Sequence, residues 1–463
     1  MGSEAKSRWF SRYIVTDRGF YRKAMLLIVP VVLQSIINQG VNMMDTVMVG
    51  KLGEASISAS SLANQFYNIF VFFCMGISAA GTVLSSQYYG AGDMKTVRKV
   101  FDLVLQIVMI GGAAFAVLTA LFPGQIMRIF TNEEDVIELG ARYLLITSLI
   151  YLPHGISLVL SNVMRSIGNA KLGLYVSIAS FVVNIGANYV FIFGKLGMPA
   201  LGVMGAAVGT LIARMVEFLF CVIYLLKVEK VLKYRVQGLI KLPSGALFRE
   251  FRRLGLPAVI SDSILALAAS VMSIILGHMG KEVVSAYAIV TVMDRMATVA
   301  TMGLASASGV IIGQTVGEGK FERAKKEGWT FLFLSVLIGV IAGILVLTLG
   351  EWSIGLYEIT SSTEKIAVSM MQASAIIVVF QAVQSTLSKG VLRGGGDTKF
   401  LMVADVIFQW CASIPLGYLA GIVLQFPPFW VLIALRIDFI IKSVWLTFRL
   451  KGDKWIHKAK QVS

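Results

Sequence analysis

Charged side chains are scarce in this sequence. They make up 14% of its 463 residues, against 57% hydrophobic ones, where a soluble protein carries roughly 25%. That shortage argues against an ordinary soluble fold, which at this length would divide into several domains. Cysteine is scarce too. Cys74, Cys221 and Cys411 all fall inside apolar stretches, so no disulfide framework is implied. The three histidines lie far apart and show no metal-ligand spacing. A phosphate-binding G-x-x-x-x-G-K-[ST] loop is also missing. The nearest string, GEGKF at 317–321, lacks both the spacing and the final hydroxyl residue. Any energy the chain uses would therefore come from a gradient or from a separate ATPase subunit. The first 23 residues are basic and polar, with no apolar stretch before a small-residue cleavage site, so no signal peptide is expected.

What the sequence does have is long apolar blocks. Each is about 20 residues or more, the length that spans a hydrocarbon core. They cover 24–49, 61–84, 101–122, 137–160, 172–194 and 202–226, then 256–279, 284–311, 329–350, 366–388, 400–423 and 429–448. The blocks are continuously apolar, unlike the alternating strands of a barrel. They predict an all-α integral membrane protein with twelve transmembrane helices.

The net charge of +15 raises the question of nucleic acid, and its distribution answers it. Lys and Arg outside the blocks collect in alternate connections. The N-terminal tail has Lys6, Arg8, Arg12, Arg18, Arg22 and Lys23, and 227–255 has Lys227, Lys230, Lys233, Arg235, Lys241, Arg249, Arg252 and Arg253. The opposite connections hold only Lys51, Arg128, Arg142, Lys195, Lys281 and Lys365. By the positive-inside rule both termini are cytoplasmic. The basic excess then faces anionic membrane lipid, and no nucleic-acid partner is expected.

The two halves of the chain repeat. Shifted by 227 positions, Pro30 meets Pro257, Gly53 meets Gly280, and QYYGAGD (87–93) meets QTVGEGK (314–320). Shifted by 228, MRSIGNAK (164–171) meets LRGGGDTK (392–399), and Arg214 falls on Lys442. Six blocks per repeat is an even number, so both halves enter the membrane in the same orientation. Such repeats are typical of transporters. The expected divisions are a tail 1–23, an N-lobe 24–226, a linker 227–255, a C-lobe 256–448 and a tail 449–463. The glycine-rich loops lie between helices without a preceding strand, and read as tight turns rather than phosphate cradles.

Polar residues inside the blocks narrow the function. A carboxylate there costs roughly 3 kcal/mol on insertion scales and needs a partner, a cavity or a proton. Arg214 with Glu217 (i,i+3) and Asp438 with Lys442 (i,i+4) share helix faces and read as structural ion pairs. Asp45, Asp262, Asp294 and Asp405 have no such partner on their own helix. Gln34, Asn38, Asn42 and Asp45 step along one face of the first block, and Asn184 with Asn188 pair on the fifth. Such stripes face protein or water rather than lipid. They suit either interhelical hydrogen bonding or a hard cation held by oxygen.

In order along the chain, MDTVMVGKLG (44–53), QYYGAGD, MRSIGNAK, NIGANYVFIFGKLGMPALGVMGAAVGT (184–210), VIIGQTVGEG (310–319) and LRGGGDTKF (392–400) resemble the multidrug and toxic compound extrusion (MATE) family, over nearly the whole length. The resemblance implies two six-helix lobes, a central cavity, and export driven by inward Na+ or H+. It also implies an N-lobe cation site at Asp45, Asn184, Asn188 and Thr210. Some members carry Asp where this chain has Asn188, which leaves one carboxylate here.

The expectation is thus a Na+- or H+-coupled efflux antiporter, not an enzyme, working as a monomer without a cofactor on small organic, cationic substrates. Gln34, Asn38, Asn42, Asn64, Asn68, Asp262, Asp294, Gln381, Gln384 and Asp405 are candidates to line its cavity. One rival is a lipid-linked precursor flippase of the same broad superfamily, which would want a cationic cavity where this chain places acids. Another is a major-facilitator-type transporter, whose Arg-rich loop motif QYYGAGDMKTVRK does not match. A receptor or scaffold without turnover is the class outside transport.

Overall fold

The computed structural model describes residues 13–234, 238–239, 244–355, 357 and 359–460. Lys6, Arg8, Arg12, Arg235 and Lys241 of the charge pattern, and the outer part of each expected tail, lie outside them.

Among the described residues, eleven helices are long and apolar enough to cross a membrane. They are α1 (Arg18–Gly50), α2 (Glu54–Gly90), α3 (Met94–Leu121), α4 (Glu134–Ser166), α5 (Lys171–Phe193), α6 (Val203–Val228), α7 (Gly245–His278), α8 (Lys281–Gly317), α9 (Phe321–Ile354), α10 (Ser361–Leu392) and α11 (Thr398–Val423). The twelfth expected span is not one helix. It breaks at Arg436 into α12 (Pro428–Leu435) and α13 (Ile437–Lys451). Arg436 leaves helical geometry (φ −120°, ψ 18°), and its side chain reaches an acid on α8. The chain is a multi-pass membrane protein, and its outward surface fits that medium. α9 exposes Leu337, Ile341, Ile344, Leu345 and Leu347, a face that water would not tolerate in bulk.

The internal repeat is visible in the backbone. Pro30 and Pro257 both lie inside their helices, α1 and α7. Left-handed glycines recur at matching positions: Gly53 (φ 99°) with Gly280 (φ 110°), Gly92 (φ 77°) with Gly319 (φ 77°), and Gly168 (φ 94°) with Gly396 (φ 92°). Only glycine enters that region without strain, so the same turns end the same helices in both halves. Asp93 then caps α3 by accepting from the Thr96 N–H at 3.0 Å, which satisfies one of the free donors of the first turn.

The chain divides into two compact units. Among the described residues, one comprises those up to Val32, Ser86–Gly92 and those from Arg252 onward; the other comprises Leu33–Ser85 and those from Asp93 to Phe251. The first unit thus contains two short segments that belong by sequence to the N-terminal half. Its core is built around Leu276, Ala286, Val290, Val346, Met370 and Leu435. The second unit packs Ala59, Ala63, Met127, Leu144, Ile192 and Ala207. In that unit the segment after α6 is tied down along α3. Arg98 donates to the Leu232 carbonyl at 2.5 Å, Tyr234 to Asp102 at 2.5 Å, and Gln106 to the Leu239 carbonyl at 2.8 Å. Burial and the neighbouring Asp102 carboxylate push the Tyr234 phenol well above its usual range, so it stays a donor in this contact.

Candidate coupling-cation site

The site builds up from the α5–α6 pairing. Gly205 and Gly209 stand one turn apart on α6, and a Cβ at either would run into α5, at Phe191 and at Asn188 respectively. Small residues at this spacing let two membrane helices approach closely. The close approach buries Asn184 (2% exposed) and Asn188 (0% exposed) against each other. The Asn188 side-chain N–H2 donates to Asp45 at 2.6 Å and to the Asn184 amide oxygen at 3.3 Å. The Asn188 amide oxygen is buried and has no hydrogen-bond partner. Thr210 follows Gly209 on α6, and among the described residues no hydrogen bond ties it to the other three. The charge of Arg214 also acts on Asp45, while Arg214 itself bonds Glu217 at 2.7 Å.

The chemistry of this donor set fits a hard cation. One carboxylate and two side-chain amides meet here, and hard cations select oxygen. In the geometry present, the Asn188 N–H2 stands in for the positive charge at Asp45. A cation there would need the amide turned over, which would present the unpartnered oxygen instead.

The remaining intramembrane acids have partners that reading one helix at a time did not reveal. Asp262 meets Arg393 at 3.4 Å. Asp294 meets Arg436 at 2.7 Å and accepts from Ser374, while Arg436 also donates to Tyr287 at 3.1 Å. Asp405 and Asp438 share Lys442, each at 3.0 Å. Ser261 donates to Asp405, and Ser413 to Asp438 at 2.9 Å. Asp262, Asp294 and Asp405, which have no such partner on their own helix, are thus paired with cations 131, 142 and 37 positions away. Asp438–Lys442 and Arg214–Glu217 pair as their spacing implied.

The other candidates are dispersed. Gln34 accepts from Arg165 at 3.1 Å. Asn38, Asn42, Asn64 and Asn68 are exposed. Gln384 is buried, and the Gln381 amide oxygen is buried without a partner. Sequence reasoning missed Arg436 altogether. The signal was there, since a cation in mid-span demands an acid. It also missed the pairing of Tyr67 with the buried His154, set among Phe70, Phe115 and Tyr151, for which nothing in the spacing gave notice.

A many-spanned helical protein with paired charges buried in each half and one acid held by amides has the build of a transporter. The MatE family model matches residues 30–190 and again 257–419, and the chain belongs to this family of transporters, which are not enzymes. The double match falls on the two halves of the repeat. Among curated proteins, it is 28% identical over 427 residues to the probable multidrug resistance protein NorM of Agrobacterium fabrum, covering 90% of this chain and 88% of that one. To the NorM of Thermotoga maritima it is also 28% identical, covering 95% and 94%. To the multidrug resistance protein MdtK of Yersinia pseudotuberculosis it is 24% identical, covering 89% of each. Among solved structures it shares its fold with a MATE transporter of Vibrio cholerae (TM-score 0.86, 17% identity, 94% and 96% covered). A MOP-superfamily transporter of Pyrococcus furiosus is similar to the same degree (TM-score 0.84, 17% identity, 95% and 99% covered).

Proposed function

We propose that this chain is a cation-coupled antiporter that exports small organic, cationic molecules across the cell membrane, exposing its substrate path alternately to the two faces. It lies with both termini in the cytoplasm and works as a monomer. Asp45, Asn184, Asn188 and Thr210 hold the coupling ion, Na+ or H+. One observation carries the reading. Asp262, Asp294, Asp405 and Asp438 each contact a cationic side chain, whereas the direct partner of Asp45 is an amide. An acid already neutralised by a lysine or arginine has little attraction left for a mobile cation, and Asp45 keeps its own. The names of the curated relatives support a multidrug range of substrates.

For a neutral substrate, one charge moving inward at about −100 mV supplies roughly 2.3 kcal/mol, about a fiftyfold substrate gradient; a singly charged substrate moving outward cancels that term, and the concentration gradient of the coupling ion is then the drive. The cycle follows from the site. The outward-facing protein takes a cation at Asp45 and releases substrate; inward-facing, it loses the cation and takes up substrate again. The test is the flux of a fluorescent organic cation from proteoliposomes under an imposed Na+ gradient, then a pH gradient, each alone. Flux driven by one of them supports the reading, and flux indifferent to both rejects coupling.

A further inference from the structure

The C-terminal segment folds back onto two of the repeated loops. Trp455 is fully buried. Its indole donates to the Leu450 carbonyl at 3.2 Å, and its ring lies where a Cβ on Gly395 would stand. The His457 N–H donates to the Gly395 carbonyl at 2.7 Å. Gln87, at the end of α2, then grips the segment from the other side. Its amide N–H2 donates to the His457 carbonyl at 3.2 Å and to the Gly394 carbonyl at 3.1 Å, and its amide oxygen accepts from the Ala459 N–H at 2.6 Å. Gln87 thus pairs with the segment as a neighbouring β-strand would, through both a donor and an acceptor. Tyr88 adds a bond to the Lys460 carbonyl at 2.7 Å.

The end of α2 that is gripped in this way also makes a reciprocal crossing with the end of α8. A Cβ on Gly90 would collide with the carbonyl of Gln314, and a Cβ on Gly317 with the carbonyl of Gln87. These are the same positions of the repeat, 227 apart. Gly313 likewise faces Ser86. Backbone packed on backbone in this manner has either full contact or none, since small shifts open voids that nothing fills.

We propose that residues 453–460 are a latch. Gln87 is its catch, and the latch holds the ends of α2 and α8 crossed until they part during the transport cycle. The inference rests on the transporter reading above. It goes beyond it by assigning the segment a moving part rather than a static brace, with Gln87 as the positioning residue.

The test joins Tyr88→Cys to Lys460→Cys, with the exposed native Cys411 replaced by serine. A short, reducible bis-thiosulfonate linker closes the pair. Closure is expected to stop dye flux, and reduction to restore it. Full flux in the cross-linked protein would make the segment a brace and overturn the latch. If neither the reduced protein nor the parent carries dye, it is the transport reading that fails in this assay. Amide exchange of the Gln87→Ala protein then decides about the latch. Exchange is expected to rise at least about tenfold both at 457–459 and at 313–317, as for one cooperative opening unit. A rise confined to 457–459 overturns the proposal.

Discussion

Arg393 lies 3.4 Å from Asp262, while its repeat mate 228 positions earlier, Arg165, donates at 3.1 Å to Gln34, one position out of register with Asp262. One half thus satisfies its arginine with a carboxylate and the other with an amide. The amide contact shows what such an arginine tolerates. Asp262→Asn converts the second contact into a likeness of the first. It is expected to lower stability by only about 1.5–3 kcal/mol, the worth of a charge-assisted hydrogen bond. Asp262→Leu strands a buried guanidinium and is expected to cost about 3–5 kcal/mol. Thermal unfolding of the two variants in detergent measures the difference.

The proposed function makes coupling depend on Asp45. Asp45→Asn keeps a side chain of the same shape beside Asn188, so the protein is expected to fold with an unfolding midpoint close to that of the parent. Gradient-driven export is expected to fall to background, since no charge remains to bind a cation. Parental efflux rates from this variant would refute the assignment. Asn188→Asp adds a second carboxylate. It is expected to tighten binding of the coupling cation, read as a lower concentration for half-maximal flux.

The glycine behind the site carries its own prediction. A methyl group at Gly209 meets the Asn188 amide oxygen, whereas one at Gly186 on α5 has nothing within 4 Å. Gly209→Ala is expected to displace Asn188 and reduce coupled flux by about tenfold or more, as misplacements near 1 Å do in catalytic sites. Gly186→Ala is expected to leave flux unchanged and to add about 0.5–1 kcal/mol of helix stability. Equal flux in the two proteins would sever the packing from the function.

Lys442 tests the buried charges of the first unit. It is 1% exposed and lies between Asp405 and Asp438, themselves 3% and 1% exposed. Lys442→Met removes the one ammonium and leaves two carboxylates in an apolar setting. Losing one partner of a buried pair costs about 3–5 kcal/mol, so little folded protein is expected by size exclusion of the detergent extract. Adding Asp405→Asn and Asp438→Asn to the same chain is expected to restore it.

Much of this was legible along the chain. The spans, the repeat, its left-handed glycines and the polar stripe ending at Asp45 are periodic or local features, set by hydropathy, helix pitch and turn chemistry. Spacing alone also yields the pairs three and four residues apart, since those side chains must share a helix face. What the sequence left open was which helix meets which. The partners of Asp262, Asp294 and Asp405, the break at Arg436 and the capture of the C-terminal segment by Gln87 all join residues far apart in the chain. In LRGGGDTK even the glycines divide by tertiary context. Gly396 makes the turn, while Gly394 admits the backbone of Gly309 and Gly395 admits Trp455. Local pattern sets what each helix offers on its faces. Packing alone, through small residues that let two backbones touch, decides which offers are met, and at Asp45 it supplied an amide where the other acids received a cation.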